Sequence, residues 1–162
     1  MVVVNSESEL IEVINKRIEE QGLECDLNDI DVSRVKDMSG LFSADVLKDF
    51  NGDISQWDTS NVFNMRSMFE FSAFTGDISK WNVSRVGDMS YMFSESKFNG
   101  DISRWGVSNV RDVYGMFLNS KFSGDIRDWN IDISYVEDMC NMFHNSPLEG
   151  REPLWYIIWM RI

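Results

Sequence analysis

Four aspartates at one fixed interval are the residues of this sequence best placed to do chemistry. Asp53, Asp77, Asp101 and Asp125 stand 24 residues apart, each in a Gly-Asp-Ile triplet. A column of carboxylates repels itself unless something compensates. One compensation is a calcium ladder. The other is a hydrogen bond to each carboxylate from backbone N–H groups of its own glycine turn. A calcium shell takes about six to eight oxygens, and one carboxylate per repeat supplies too few. The turn reading is therefore the expectation, and calcium is the weaker alternative. His144 is the only histidine. It follows Met142-Phe143 with no Ser or Cys nucleophile motif around it, so a surface or cap position is expected. Met38, Met65, Met89 and Met139 recur with the repeat, which reads as core packing rather than copper ligation. No nucleophile–base pair, phosphate loop or His/Cys cluster is present, so neither an enzyme nor a cofactor is expected.

Those aspartates belong to a longer repeated sentence. It reads Phe50-Asn-Gly-Asp-Ile-Ser-Gln-Trp57, then recurs from Phe74 to Trp81, Phe98 to Trp105 and Phe122 to Trp129. A fixed period of this length predicts stacked coils. The expected fold class is α/β: a leucine-rich-repeat-like solenoid of about five coils, with a short strand plus a short helical turn per coil. The strand is expected near Trp57 to Thr59, where Thr59, Val83 and Val107 are β-branched. The helical turn is expected over Val62-x-x-Met65-x-x-Met68-Phe69. Ser60, Ser84 and Ser108 would be its N-caps, and Asp37, Asp88, Asp112 and Asp138 would sit in its first turn. Gly52, Gly76, Gly100 and Gly124 would turn the chain back, with positive φ. Trp, Ile and Met-Phe positions would stack through the core.

The ends differ from the middle. Ser6 with Glu9 is a capping box, Leu10, Ile11, Val13, Ile14 and Ile18 form one apolar face, and Gly22 stops the helix. This predicts a helix over 6–21 that covers the first coil, with Val2 to Val4 as a short strand or a frayed end. A three-residue insertion separates Phe42 from Phe50, and two extra residues separate Trp129 from Met139. Pro153 enters where the repeat fades, and Trp155 keeps the Trp register. The expected division is a capping helix in 1–24, the repeats in 25–155 and an apolar tail in 156–162, all one domain.

Positions flanking the expected strand vary between coils. Gln56, Asp58, Lys80, Asn82, Arg104, Asp128 and Asn130 would point outward and form a protein-binding face, with Lys80 and Arg104 as a basic spot. The net charge of −12 and pI near 4.4 repel phosphate backbones and anionic lipid, so no nucleic acid partner is expected. No stretch approaches the length of a membrane span. Cys25 and Cys140 lie at opposite ends and read as small buried residues. The opening residues carry no basic, apolar or lipobox signal, so the expected location is cytoplasmic, or the cell surface or exterior if a leader has been removed.

The Phe-Asn-Gly-Asp-Ile-Ser-x-Trp-x-Val-Ser-x-Val-x-Asp-Met-x-x-Met-Phe sentence resembles the BspA-like repeat family. These are leucine-rich-repeat variants of bacterial surface proteins and lipoproteins, including those of mycoplasmas. The resemblance spans about residues 25–155. It implies a leucine-rich type of α/β solenoid and a role in protein binding or adhesion, with no catalytic residues to carry over.

Overall fold

The computed structural model of the chain describes residues 1–43 and 46–161. Ala44 and Asp45 of the first insertion, and Ile162 at the end of the apolar tail, lie outside the described residues.

Helix α1 spans Glu7–Gln21. The Ser6 hydroxyl accepts from the Glu9 N–H at 3.2 Å, as the capping box requires. The return bond goes one residue further out than that motif predicts: the Glu9 carboxylate accepts from the Asn5 N–H at 2.7 Å. Gly22 ends the helix at φ 89°, a conformation L side chains avoid. Leu10 and Ile14 are buried, with Ile11, Val13 and Ile18 packed beside them. Arg17 forks onto Asp29 at 2.9 and 3.0 Å and ties α1 to the first repeat. Strand β1, Val2–Val3, pairs in parallel with β2, Ile30–Asp31. The second helix, α2, spans Leu154–Trp159.

These two helices and this two-stranded sheet are all the regular elements among the described residues. The expected α/β leucine-rich-repeat-like solenoid of about five coils, with a strand and a helical turn in each, is therefore corrected. The segment around Trp57–Thr59 is not a strand, and 62–69 is not a helical turn. Adjacent repeats meet instead through turns and single parallel bridges, Asp37 to Asn64, Asn64 to Asp88, Asp88 to Asp112 and Asp112 to Asp138.

The reason lies in how the backbone donors are shared. Within 65–72 the N–H groups alternate. Those of Met65, Ser67, Phe69 and Phe71 donate to Asp88, Ser90, Met92 and Ser94 of the next repeat, all at 2.9 Å. Those of Met68, Glu70 and Ser72 close turns onto carbonyls three residues back. A helix would keep all these donors inside the segment, and a strand would close none of them locally. Two residues per repeat also hold positive φ, which interrupts a right-handed helix. One such position is Gly40, Ser67, Tyr91, Gly115 and Asn141; the other is Phe71, Glu95, Asn119 and Asn145.

Three further expectations change with this. Ser60 and Ser84 are not N-caps; their N–H groups donate to Asp58 and Asn82 carboxylate or amide oxygens at 3.0 and 3.1 Å. No helix follows Ser108. Asp37, Asp88, Asp112 and Asp138 face no helix dipole; each accepts the N–H two residues on, at 2.7–2.9 Å. Gly52, Gly76, Gly100 and Gly124 are not among the positive-φ residues. Glycine is needed there because a Cβ would strike the phenylalanine ring two residues earlier. At Gly100 it would lie 2.8 Å from Phe98.

The core is made of columns. Phe69, Phe93 and Phe117 stack at 5.6 and 5.8 Å, and each lies 4.4–4.7 Å from Phe74, Phe98 or Phe122, the residue that opens the following repeat. Met38, Met65, Met89 and Met139 are fully buried, as the packing period predicts. Every repeat tryptophan also has a polar duty. The indole N–H of Trp57, Trp81, Trp105, Trp129 and Trp155 donates to the carbonyl of Leu27, Ile54, Ile78, Ile102 and Ile126, at 3.0–3.2 Å. Trp155 thus keeps the register, while Tyr156 on α2 packs edge-on against Phe143 at 4.9 Å. Cys25 is buried as expected, but Cys140 is exposed.

Candidate functional site

The aspartate column resolves into local turns. Asp53, Asp77 and Asp101 each accept the N–H of the serine two residues on at 2.9 Å, and Asp125 accepts that of Arg127 at 3.1 Å. These bonds stabilise the charged form and hold the carboxyls of Asp53, Asp77 and Asp101 below the usual range. The Arg127 guanidinium, at 2.7 Å, brings Asp125 down to about 2. Among the described residues no three His, Cys, Asp or Glu side chains gather as a metal site. His144 is exposed, with Nδ1 3.3 Å from a Glu149 carboxylate oxygen.

The row chosen from the sequence is exposed throughout: Gln56, Asp58, Lys80, Asn82, Arg104, Asp128 and Asn130. Several of them also serve the backbone. Gln56 donates its N–H to Asn28, Asp58 and Asn82 accept within their own turns, and Asn130 accepts the Val107 N–H at 3.0 Å. Lys80 and Arg104 do come together. With Ser79 and Asp101 they line a cavity of about 260 Å³.

A larger concavity, about 650 Å³, was not anticipated. It is lined by Phe63, Arg85, Gly87, Arg111, Asp132 and Tyr135 among others. Phe63 and Tyr135 are 52% and 67% exposed, although both are aromatic. Arg85 donates to Asn61 at 2.9 Å, and neither it nor Arg111 has an ion-pair partner among the described residues. The repeat creates this place. Phe63, Gly87 and Arg111 share the position after the buried valines Val62, Val86 and Val110, and the bare Gly87 leaves room between its larger neighbours. The two extra residues of the last repeat build the wall that carries Asp132 and Tyr135. An aromatic at a position filled elsewhere by lysine, glycine, arginine or glutamate was the sequence signal for it.

Such a molecule belongs to the repeat proteins, with its exposed chemistry along the flanks of stacked, turn-built layers. More particularly, the chain belongs to the DUF285 family of mycoplasma proteins of unknown function, whose family model matches residues 13–129. No curated protein and no solved structure matches it. Among the described residues no helix is long and apolar enough to cross a membrane.

Proposed function

We propose that the chain is a non-enzymatic interaction module that holds a protein partner against the flank of its stacked repeats. The observation that carries this reading is the groove between Phe63 and Tyr135. Exposed aromatics beside arginines are the composition of binding hot spots, whereas scattered surface residues are mostly polar. Two arginines without ion-pair partners on a chain of net charge −12 suit a carboxylate on the partner, with an apolar side chain next to it. The resemblance to BspA-like repeats of bacterial surface proteins supports the same reading.

The Lys80–Arg104 cavity is a second contact point for a partner of mixed charge, in the row Gln56, Asp58, Asn82, Asp128 and Asn130. The test is affinity capture from host-cell and source-cell lysates with three baits: wild type, Phe63→Ser with Arg111→Glu, and Lys80→Glu with Arg104→Glu. A partner lost with the first pair places binding in the groove. One lost only with the second pair places it on the row. A partner held equally by all three baits overturns both placements.

A further inference from the structure

One rung of the groove's ladder has no side chain. Lys36, Phe63, Gly87, Arg111 and Glu137 form a single column, tied through the backbone. Each N–H donates to the carbonyl one layer before: Phe63 to Lys36 and Gly87 to Phe63 at 2.9 Å, Arg111 to Gly87 at 2.8 Å, and Glu137 to Arg111 at 2.6 Å. Such in-register pairing sets equivalent side chains on one face, about 4.8 Å apart. Lys36, Phe63, Arg111 and Glu137 are all exposed. Phe63 and Arg111 therefore stand two spacings apart, about 9.6 Å, with only Gly87 between them. A flat ring placed midway would lie about 4.8 Å from each, inside the range of about 4.5–7 Å at which rings stack. The core columns already stack this way: Trp57 on Trp81 and Phe74 on Phe98 lie 6.2 and 6.4 Å apart and within 9° of parallel. The fold does not require glycine at this rung. Gly87 is not among the positive-φ residues, and an added Cβ would meet nothing nearer than the Phe63 carbonyl oxygen at 3.9 Å.

We propose that the gap at Gly87 takes one aromatic side chain of a partner protein, Trp in preference to Tyr, from a segment with an acidic residue beside it. This rests on the reading of the Phe63–Tyr135 groove as the partner's site and names the group that the site selects. Phe63 meets one face of the ring. The Arg111 guanidinium meets the other in a cation–π contact, which is strongest for Trp. The acid meets Arg85, which Asn61 holds at 2.9 Å and which has no ion-pair partner among the described residues. The concavity of about 650 Å³ lies within the range of about 300–1,000 Å³ typical of ligand pockets, so a ring and its neighbour fit. A second copy of this chain is the poorer occupant. Its Phe71 is exposed beside Glu70 and has suitable chemistry, but two chains of net charge −12 repel each other.

The test titrates the full chain with acetylated, amidated peptides GWEG, GLEG and GWKG, read by amide-resolved NMR. GWEG should shift the Gly87 and Arg111 amides saturably at millimolar concentration. GLEG and GWKG should bind at least about threefold more weakly. Gly87→Leu fills the gap from the chain's own side and should abolish the GWEG response. The comparison of GWEG with GLEG on wild type stands even if that variant does not fold. Equal binding of GWEG and GLEG, no shift at Gly87, or an undiminished response in folded Gly87→Leu overturns the proposal. In the capture experiment, a partner lost with Phe63→Ser and Arg111→Glu but held by Gly87→Leu keeps the groove and overturns the ring slot. A partner held by Phe63→Ser with Arg111→Glu ends the groove reading, and the proposal with it. A doubled mass in sedimentation that Phe71→Ser and Gly87→Leu each abolish would make a second copy the occupant and also overturns it.

Discussion

The indole N–H of Trp105 donates to the carbonyl of Ile78, 3.1 Å away and 27 residues earlier in the chain. One side chain thus fills the core of its own layer and closes a hydrogen bond to the layer before it. Trp105→Phe keeps most of the ring and strands the carbonyl, so it should cost about 1–3 kcal/mol. Trp105→Ala should cost about 3–5 kcal/mol, since it also empties the site. Urea unfolding of both variants separates the bond from the packing; a Trp105→Phe variant as stable as wild type would refute the hydrogen-bond role.

Gly100→Ala should destabilise by about 1–3 kcal/mol through overlap with the Phe98 ring, not through backbone strain. Adding Phe98→Leu should recover part of that loss. Chemical denaturation of the double-mutant cycle reads the coupling, and strict additivity would point to some other cause.

Ser67 holds φ at 54° in a position where Gly40 and Gly115 stand in other repeats. Ser67→Gly should therefore stabilise the chain by about 0.5–1 kcal/mol, against the usual sign for glycine. Differential scanning calorimetry gives the answer.

Asp112 lies between Asp88 and Asp138 in its column, and its carboxyl is pushed up, first by burial and then by those neighbours. A raised carboxyl is an unfavourable charge in the fold, relieved as pH falls. Asp112→Asn keeps the oxygen that accepts the Tyr114 N–H, as Asn64 does for Arg66 in its own layer. It should raise Tm at pH 7 by about 1–3 °C, with the gain shrinking in acid. Asp53, Asp77, Asp101 and Asp125 have the opposite sign. Their lowered carboxyls stabilise the fold above the ordinary carboxylate pKa of about 4. That contribution should be lost as pH falls, for Asp125 down to about 2. A Tm–pH series on wild type and Asp125→Asn measures it.

Calcium should leave the melting curve unchanged. One oxygen of each column aspartate is already engaged by a backbone N–H, and one carboxylate per layer is far short of a calcium shell. Scans with millimolar calcium and with chelator check this; a rise in Tm would revive the ladder.

What could be read from the sequence was whatever obeys the period. The Phe, Ile, Met and Trp columns and the Trp155 register follow from spacing alone, and α1 follows from its cap, apolar face and terminal glycine. The local conformation of a repeat was not legible. Whether Met65 donates within its own segment or to Asp88 depends on a neighbour 23 residues away, which no local propensity records. Positive φ at Tyr91 and Glu95 likewise runs against their side chains and is imposed by stacking. Gly100 was noticed for the right position and the wrong reason, since the ring of Phe98 excludes a Cβ there. The groove was not legible because its walls, Phe63, Arg85, Arg111 and Tyr135, come from different repeats and share no motif.

The onward-pointing amides have an electrical consequence. In the layers of Met65 and Met89 four N–H groups aim onward and two, those of Phe63 and Ala73 or of Gly87 and Lys97, aim back, so their peptide dipoles, about 3.5 D each, leave a net excess in the onward direction. Partial positive charge accumulates beyond Met139 and Phe143, on the side where Glu149 and Glu152 line a cavity. Partial negative charge accumulates near Asp37, where the Glu7 carboxyl is already pushed up. The protein therefore has a head and a tail in its electric field, set by the direction of its amides as well as by its charged side chains.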